Sequence, residues 1–398
     1  MHVVLSILIA VALLYWITQA ALFIRTMQVV PALCVDPRAS RPDDPLVSVI
    51  VPARNEEAVL ESALRSRLTD PDPNLQFIFV NDRSTDRTGQ IMASIAEGDP
   101  RVEYLEIEEL PEGWLGKVHA MHSALALVRG SWILLSDADV HVAPGVVRRT
   151  VDLAESAGVE HLAALPAIRT PSLGLRLCLS PLMRLLMFVV RLWSVHVRGS
   201  SAAMGVGAFN LVRRDAFAAA GGLEALRMEV IDDIGVGAII KRSGGGSLIV
   251  AARDGVRLAW YDRFTDFLAG LERGTSRLPR WMPRLVVVAG GIALGLLDLL
   301  PVLLLLCWPW WPLVGGIGLA ATALMLTISV LLARHFGFSV PAALCAPLGI
   351  VLCTYAACRA VLVGARDGTI RWRGTTYSVE SLQAGAQFRF HDRSEGND

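Results

Sequence analysis

The sequence predicts an α/β fold on a mainly parallel sheet, combined with transmembrane helices. Three observations lead there. Between Leu46 and about Pro171, short apolar runs alternate with amphipathic stretches, as in a parallel sheet covered on both faces. Apolar runs long enough to cross a bilayer lie before and after that region. Three polar clusters follow directly on apolar runs, where open α/β sheets bind ligands.

The chain has 398 residues, of which 53% are hydrophobic, too many for a wholly soluble protein. Its 37 basic and 37 acidic residues balance, which gives a nucleic-acid partner no electrostatic support. The six cysteines include no CxxC pair, so they read as small packing residues rather than zinc ligands or a disulfide framework.

The first element is the apolar run Val3 to Ile24. No Lys or Arg precedes it, and it is long for a signal core, so residues 1–25 read as an uncleaved anchor. Cleavage near Gln19 to Ala21 is the alternative. Arg25, Arg38 and Arg41 follow and place the next domain in the cytosol. Residues 26–45 hold four prolines and read as a linker.

A catalytic domain is expected over 46–282. Its first strands are Leu46 to Val51, Leu75 to Val80, Val102 to Ile107 and Trp132 to Leu135, with helices over 56–68, 86–97 and 117–128. Ser180 before Pro181 looks like a helix start. Arg184, Arg191 and Arg198 then recur every seven residues. Over about 181–198 this predicts a helix in the membrane interface, arginines toward headgroups; a buried helix with a solvated stripe is the alternative. Residues 283–363 carry spans near 286–306, 312–333 and 340–363. Asp298 is the one acid within these spans and has no evident partner in the sequence. Residues 364–398 form a polar tail. One plus three spans would leave the tail outside, yet Arg359, Arg366, Arg371 and Arg373 favour the inside.

Five clusters carry candidate chemistry. Pro52, Ala53, Arg54 and Glu56 end the first strand; simple helix capping is the bland reading. Asn81 to Asp86 ends the second, where Asp82 can accept bonds from a nucleobase or ribose. Asp137 and Asp139 stand two apart at the end of the fourth strand. Two hard oxygen ligands suit Mg or Mn, which keep waters and are completed by substrate phosphates. Asp232 and Asp233 open a later helix; they can cap it, or one can act as a base. Arg277, Arg280 and Trp281 precede the C-terminal spans, where positive flanking charge is the alternative.

In this order the clusters resemble family 2 glycosyltransferases with a GT-A fold, whose first half is Rossmann-like and binds the nucleotide. The stretch Val49 to Glu56 looks like the family's opening nucleotide loop, and Asp82 to Thr88 like its second nucleotide motif. Asp137 to Asp139 matches the metal motif, and Asp232-Asp233 the acidic pair whose second member is the base. Arg277 to Trp281 is similar to the (Q/R)xxRW motif of ceramide glucosyltransferases and membrane synthases. Leu110 to Lys117 and the tail from Gly368 to Tyr377 resemble bacterial transferases of hopanoid and carotenoid lipids, where Lys117 would approach the diphosphate. Asn81 and Asp232 depart from the family's usual Asp and Glu.

The resemblance implies a membrane-bound inverting hexosyltransferase, multi-pass in the inner membrane with a cytosolic catalytic domain. It would move one sugar from a nucleotide-sugar, a UDP-sugar for preference, to a lipid-like acceptor. Pro52, Ala53, Arg54, Glu56, Asp82, Lys117 and Asp137 would bind the donor. Asp137 and Asp139 would hold Mg or Mn, and Asp233 beside Asp232 would act as base. Arg277, Arg280 and Trp281 would meet the acceptor and diphosphate. A processive polysaccharide synthase and an inactive nucleotide-sugar-binding protein are the rival readings.

Overall fold

The computed structural model describes residues 2–34, 40–274, 283–364, 368–372 and 375–385. It divides into two compact units. The first comprises Met1–Pro31, Ala167–Trp193 and Ala259–Gly368; the second comprises Ala32–Pro166, Ser194–Leu258 and Thr369–Asp398.

The second unit is built on a seven-stranded sheet. Its strands are β1 (Val47–Ala53), β2 (Leu75–Asp82), β3 (Val102–Ile107), β4 (Trp132–Leu135), β5 (His161–Leu165), β6 (Asn210–Arg213) and β7 (Ser247–Ala251). Their order is β3-β2-β1-β4-β6-β5-β7. β1 pairs in parallel with β2 and β4, β2 with β3, and β5 with β7. β6 runs antiparallel between β4 and β5. The expected mainly parallel α/β sheet is present. β1 and β2 are buried along their whole length, so they read as continuous apolar runs rather than alternating ones. The helices Leu60–Leu68, Thr88–Gly98 and Gly116–Ala124 fall close to the expected ones.

The first unit is mostly helical. Among the described residues, five helices are long and apolar enough to cross a membrane, running Ser6–Val29, Leu173–Val190, Arg284–Leu306, Pro312–Phe336 and Ala346–Val363. Pro347 near the start of the last helix, and the short helix Val340–Leu344 before it, break the span expected over 340–363.

The expected interfacial helix at 181–198 is corrected. The helix runs Leu173–Val190 and is capped by Ser172, whose side chain accepts from Leu175 N. Pro181 lies inside it, and Ser180 instead donates to Ser329 O at 3.3 Å. Arg191 has φ 56° and ends the helix. The three arginines therefore share no helix face. Arg184 is buried and meets Asp298 through two bonds of 2.8 and 2.6 Å, so Asp298 does have a partner. Arg198 belongs to the other unit, donating to Gly158 O and Gly244 O.

Candidate active site

The first two clusters leave β1 and β2 as neighbouring loops, and their side chains lace the loops together. Asn55 N donates to Ser84 Oγ, Thr85 N to Asn55 Oδ1, and Glu56 N to Thr88 Oγ1, at 2.8–3.0 Å. Glu57 N donates to Asp86 Oδ2 at 3.2 Å. Asn55 and Arg83 sit at φ 55° and 54°. An arginine adopts that conformation rarely, and such residues cluster at functional sites.

Pro52 and Ala53 are buried in β1, opposite Val80 and Asn81. Asp82 is buried and accepts from Arg83 Nε at 2.7 Å. Arg54 Nη1 donates to Thr375 Oγ1 at 3.4 Å. Among the described residues, Arg54 Nε and Arg83 Nη2 are buried without a hydrogen-bond partner. Unsatisfied buried donors are costly, and an anion seated here would satisfy them.

The tail reaches the same loops. Its hairpin pairs Thr369–Trp372 with Thr375–Ser378. Besides the Thr375 contact, Tyr377 Oη accepts from Gly116 N at 3.4 Å. The helix Gly116–Ala124 begins tight against the second cluster, where a Cβ on Gly116 would fall 2.6 Å from Asp82 Oδ2.

At the end of β4 the third and fourth clusters meet. Asp137 N donates to Gly207 O at 2.9 Å, and Gly207 N to Asp233 Oδ2 at 3.1 Å. Gly207 has no room for a side chain, since a Cβ would lie 2.6 Å from Asp137 Oδ2. Asp233 Oδ1 also accepts from Ile234 N at 2.8 Å, in the first turn of its own helix, Asp232–Arg242. Lys117 Nζ lies between the clusters, 2.8 Å from Asp137 Oδ1 and 3.1 Å from Asp232 Oδ2. Asp232 and Asp233 thus face different partners, as residues about 100° apart on a helix must.

Electrostatics follow from this crowding. Burial, then Asp137 and Glu56, push Asp139 up to about 6. Burial, then Asp232, push Asp233 up to about 6. Burial also raises Asp232 against the pull of Lys117. Burial opposes charge on Lys117, yet Asp137, Asp232 and Asp233 outweigh it and raise its pKa. Excess negative charge at Asp137, Asp139 and Glu56 suits a cation, and the donors are hard oxygens. The residues present therefore fit Mg or Mn. Among the described residues no three side chains form a metal cage.

Several contributors carry no signal in the local sequence. Arg67 is buried and donates to Asp137 O at 2.5 Å and Ser136 Oγ at 3.1 Å. Beneath Asp233 runs a polar chain. Asn210 Nδ2 donates to Asp233 O at 3.0 Å, His161 Nε2 meets Asn210 Oδ1 at 2.6 Å, and His161 Nδ1 meets Ser247 Oγ at 2.7 Å. Only Gly205 and Gly207, spaced around one valine, are a legible hint of close approach. Arg277, Arg280 and Trp281 lie outside the described residues.

Residues 48–219 match the family model described as Glycosyl transferase family 2. The chain is 38% identical over 97 residues to the probable glycosyltransferase YdaM of Bacillus subtilis, covering 24% of this chain and 23% of that one. It is 33% identical over 111 residues to a beta-monoglucosyldiacylglycerol synthase of Nostoc sp., covering 27% and 23%. The chain thus spans about a quarter of the length of these curated relatives. Among solved structures, it is similar to a mannosyltransferase from Pyrobaculum calidifontis in complex with GDP-Man and Mn2+. The TM-score is 0.51 at 18% identity, covering 92% of this chain and 98% of that one.

Proposed function

We propose that this chain, which carries a glycosyl transferase family 2 domain on a GT-A fold, transfers one sugar from a nucleotide-sugar to a lipid-like acceptor at the membrane. The observation that carries this reading is the meeting of Asp137 with Asp232 and Asp233 around Lys117 beyond the end of β4, with Asp139 beside Asp137. A UDP-sugar is the favoured donor, on the motif resemblance. The lipid acceptor is supported by the five apolar helices and by the glycolipid product in the Nostoc relative's name.

In this reading Arg54 and Arg83 bring unsatisfied donors to the diphosphate, and Lys117 adds a charge. Pro52 and Ala53 shape the floor through their backbone, beside Glu56 and Asp82. A Mg or Mn ion held by Asp137 and Asp139, as the Mn2+ in the Pyrobaculum structure suggests by analogy, would neutralise charge growing on the leaving diphosphate. Asp233, with an affinity for protons near pH 6, is poised as the base that takes the acceptor's hydroxyl proton. Its orientation is held by Gly207 N and Ile234 N. Displacement at the anomeric carbon in one step inverts its configuration. Arg277, Arg280 and Trp281 are proposed to meet the acceptor and diphosphate.

The same reading sets the topology. The catalytic unit and tail face the cytosol, the side favoured by the arginines.

The test uses full-length protein in lipid nanodiscs with UDP-glucose or GDP-mannose and membrane lipid extract. Lipid-dependent release of nucleoside diphosphate, lost with chelator and restored by Mn2+, is the expected result, with a singly glycosylated lipid seen by mass spectrometry. A long polymer would move the reading to a processive synthase; donor binding without turnover would reduce it to a binding protein.

A further inference from the structure

The lysine at the centre of the carboxylates occupies a position with a consequence for the order of binding. Its backbone is fixed. Leu115 N donates to Arg227 O at 2.8 Å at the helix entry, and Gly116 is pressed against Asp82 and Arg83. Its side chain is not fixed in the same way, because four carbons separate the ammonium from the backbone. Nζ therefore has reach that the helix lacks.

Where that ammonium rests is the ground a divalent cation must take. Asp137 Oδ1 is 2.8 Å from Nζ, while Oδ2 faces the close backbone at Gly207. Asp232 holds the ammonium from the other side at 3.1 Å. A dication arriving alone meets a like charge at its principal ligand, and like charges repel at this range. A nucleoside diphosphate changes the balance, since its oxygens offer the ammonium a new partner and leave Asp137 open.

We propose that Lys117 is a positioning residue that makes divalent-cation binding at Asp137 and Asp139 contingent on the donor, its ammonium bracing Asp137 against Asp232 until a nucleoside diphosphate draws it away. The proposal rests on the reading of this cluster as a nucleotide-sugar site. Coupling of this kind is reciprocal: the cation tightens the nucleotide by the same factor as the nucleotide tightens the cation. Asp232 gains a definite role, keeping the ammonium near the site after it leaves Asp137.

The experiment titrates Mn2+ into purified full-length protein in detergent and follows free Mn2+ by electron paramagnetic resonance, alone and with saturating UDP or GDP. Protein-free nucleotide at the same concentration is titrated in parallel and its Mn2+ binding subtracted, so Mn2+ held by free nucleotide does not count as binding to the protein. Wild type should bind Mn2+ weakly alone and about tenfold or more tightly with the nucleotide that fits, within the usual range of coupling. Lys117→Met should bind Mn2+ alone about tenfold more tightly than wild type, with little further gain from nucleotide. Lys117→Arg, which keeps the charge, should retain the weak binding without nucleotide. Lys117→Gln repeats the test if the methionine variant does not melt cooperatively. Equal Mn2+ affinity of wild type and the uncharged variants, with the same nucleotide gain, overturns the role of Lys117 and leaves the site reading intact. No Mn2+ binding to wild type with either nucleotide overturns both.

Discussion

Two of the molecule's buried groups of charge, one in each unit, are built on opposite plans. In the sheet-bearing unit Lys117 and Arg67 stand among Asp137, Asp139, Asp232 and Asp233. Acids outnumber bases there, and two carboxylates are pushed up to about 6. In the helical unit Arg184 meets Asp298 through both arms of its guanidinium. Tyr15 donates to the same carboxylate and accepts from Arg184 Nη1 at 3.2 Å, and the Trp16 ring lies 5.1 Å from the guanidinium carbon. That group is balanced and closed. The difference separates a site from a brace: surplus charge awaits a ligand, whereas matched charge ties helices together. Three helices contribute to the brace, from Ser6–Val29, Leu173–Val190 and Arg284–Leu306.

The largest expected effect breaks the open group. Asp233→Asn keeps the shape but cannot take a proton, and turnover should fall about 10²- to 10⁴-fold. Asp137→Ala with Asp139→Ala should also abolish cation-dependent turnover. Asp233→Asn should change thermal stability little, since the acceptor it loses is offset by relief of repulsion from Asp232, whereas the double alanine variant should also melt earlier, because buried Lys117 and Arg67 lose their counter-charges. Turnover assays and melting curves on the same samples check both halves. Normal turnover by Asp233→Asn would leave the acidic pair a helix cap.

The closed group should respond the other way. Asp298→Ala leaves Arg184 buried without its counter-charge, which typically costs about 3–5 kcal/mol. Replacing both, Arg184→Leu with Asp298→Leu, should return stability to within about 1 kcal/mol of wild type, since well-packed apolar residues often substitute for a buried pair. Lys117→Met with Asp137→Leu should recover no turnover. Chemical denaturation in detergent measures the first pair of variants. A double leucine variant as unstable as Asp298→Ala would show that the charges themselves are required in the membrane.

How far these groups were legible in the sequence follows from how locally each is encoded. The first four strands and the polar loops after β1, β2 and β4 sit in contiguous runs, and the acidic pairs stand next to one another. The brace joins residues 114 and 283 positions apart, which no local period reveals. The seven-residue arginine spacing misled for the same reason: Pro181 lies within the helix and Arg191 ends it, so periodicity outlasted the helix. β5, β6 and β7 were missed because they are short, and β5 is rich in alanine. The antiparallel β6 is what carries Asn210 beneath Asp233.

That support beneath the open group gives a pH test of intermediate size. Burial, opposed by the Asn210 bond, lowers His161 from 6.5 to about 4. A histidine depressed on folding lends stability that is complete above pH 6.5 and is lost as pH falls toward 4. The loss is roughly 3 kcal/mol at about 1.4 kcal/mol per pH unit. His161→Gln can bond Asn210 and Ser247 without titrating. The difference in unfolding free energy between wild type and this variant should therefore shrink, then reverse, as pH falls from 7 to 4. Parallel pH profiles would mean that His161 does not carry this dependence.

The smallest effect probes whether the brace is only a brace. Tyr15→Phe removes one hydroxyl and leaves the ring, so its edge contact with Trp16, 5.7 Å between centroids, is kept. The two bonds between Arg184 and Asp298 also remain. What is lost is a bond from a neutral donor to a carboxylate that still has its guanidinium. Within membranes such side-chain bonds contribute about 0.6 kcal/mol on average and rarely more than about 1.7. The expected cost is therefore about 1 kcal/mol, read as a small shift in the denaturation midpoint, with turnover on donor and lipid unchanged. The comparison would fail in the opposite case. If Tyr15→Phe melted as wild type but lost turnover on lipid while still releasing diphosphate from donor alone, the hydroxyl would be serving the acceptor, and the balanced group would belong to the reaction rather than to the scaffold.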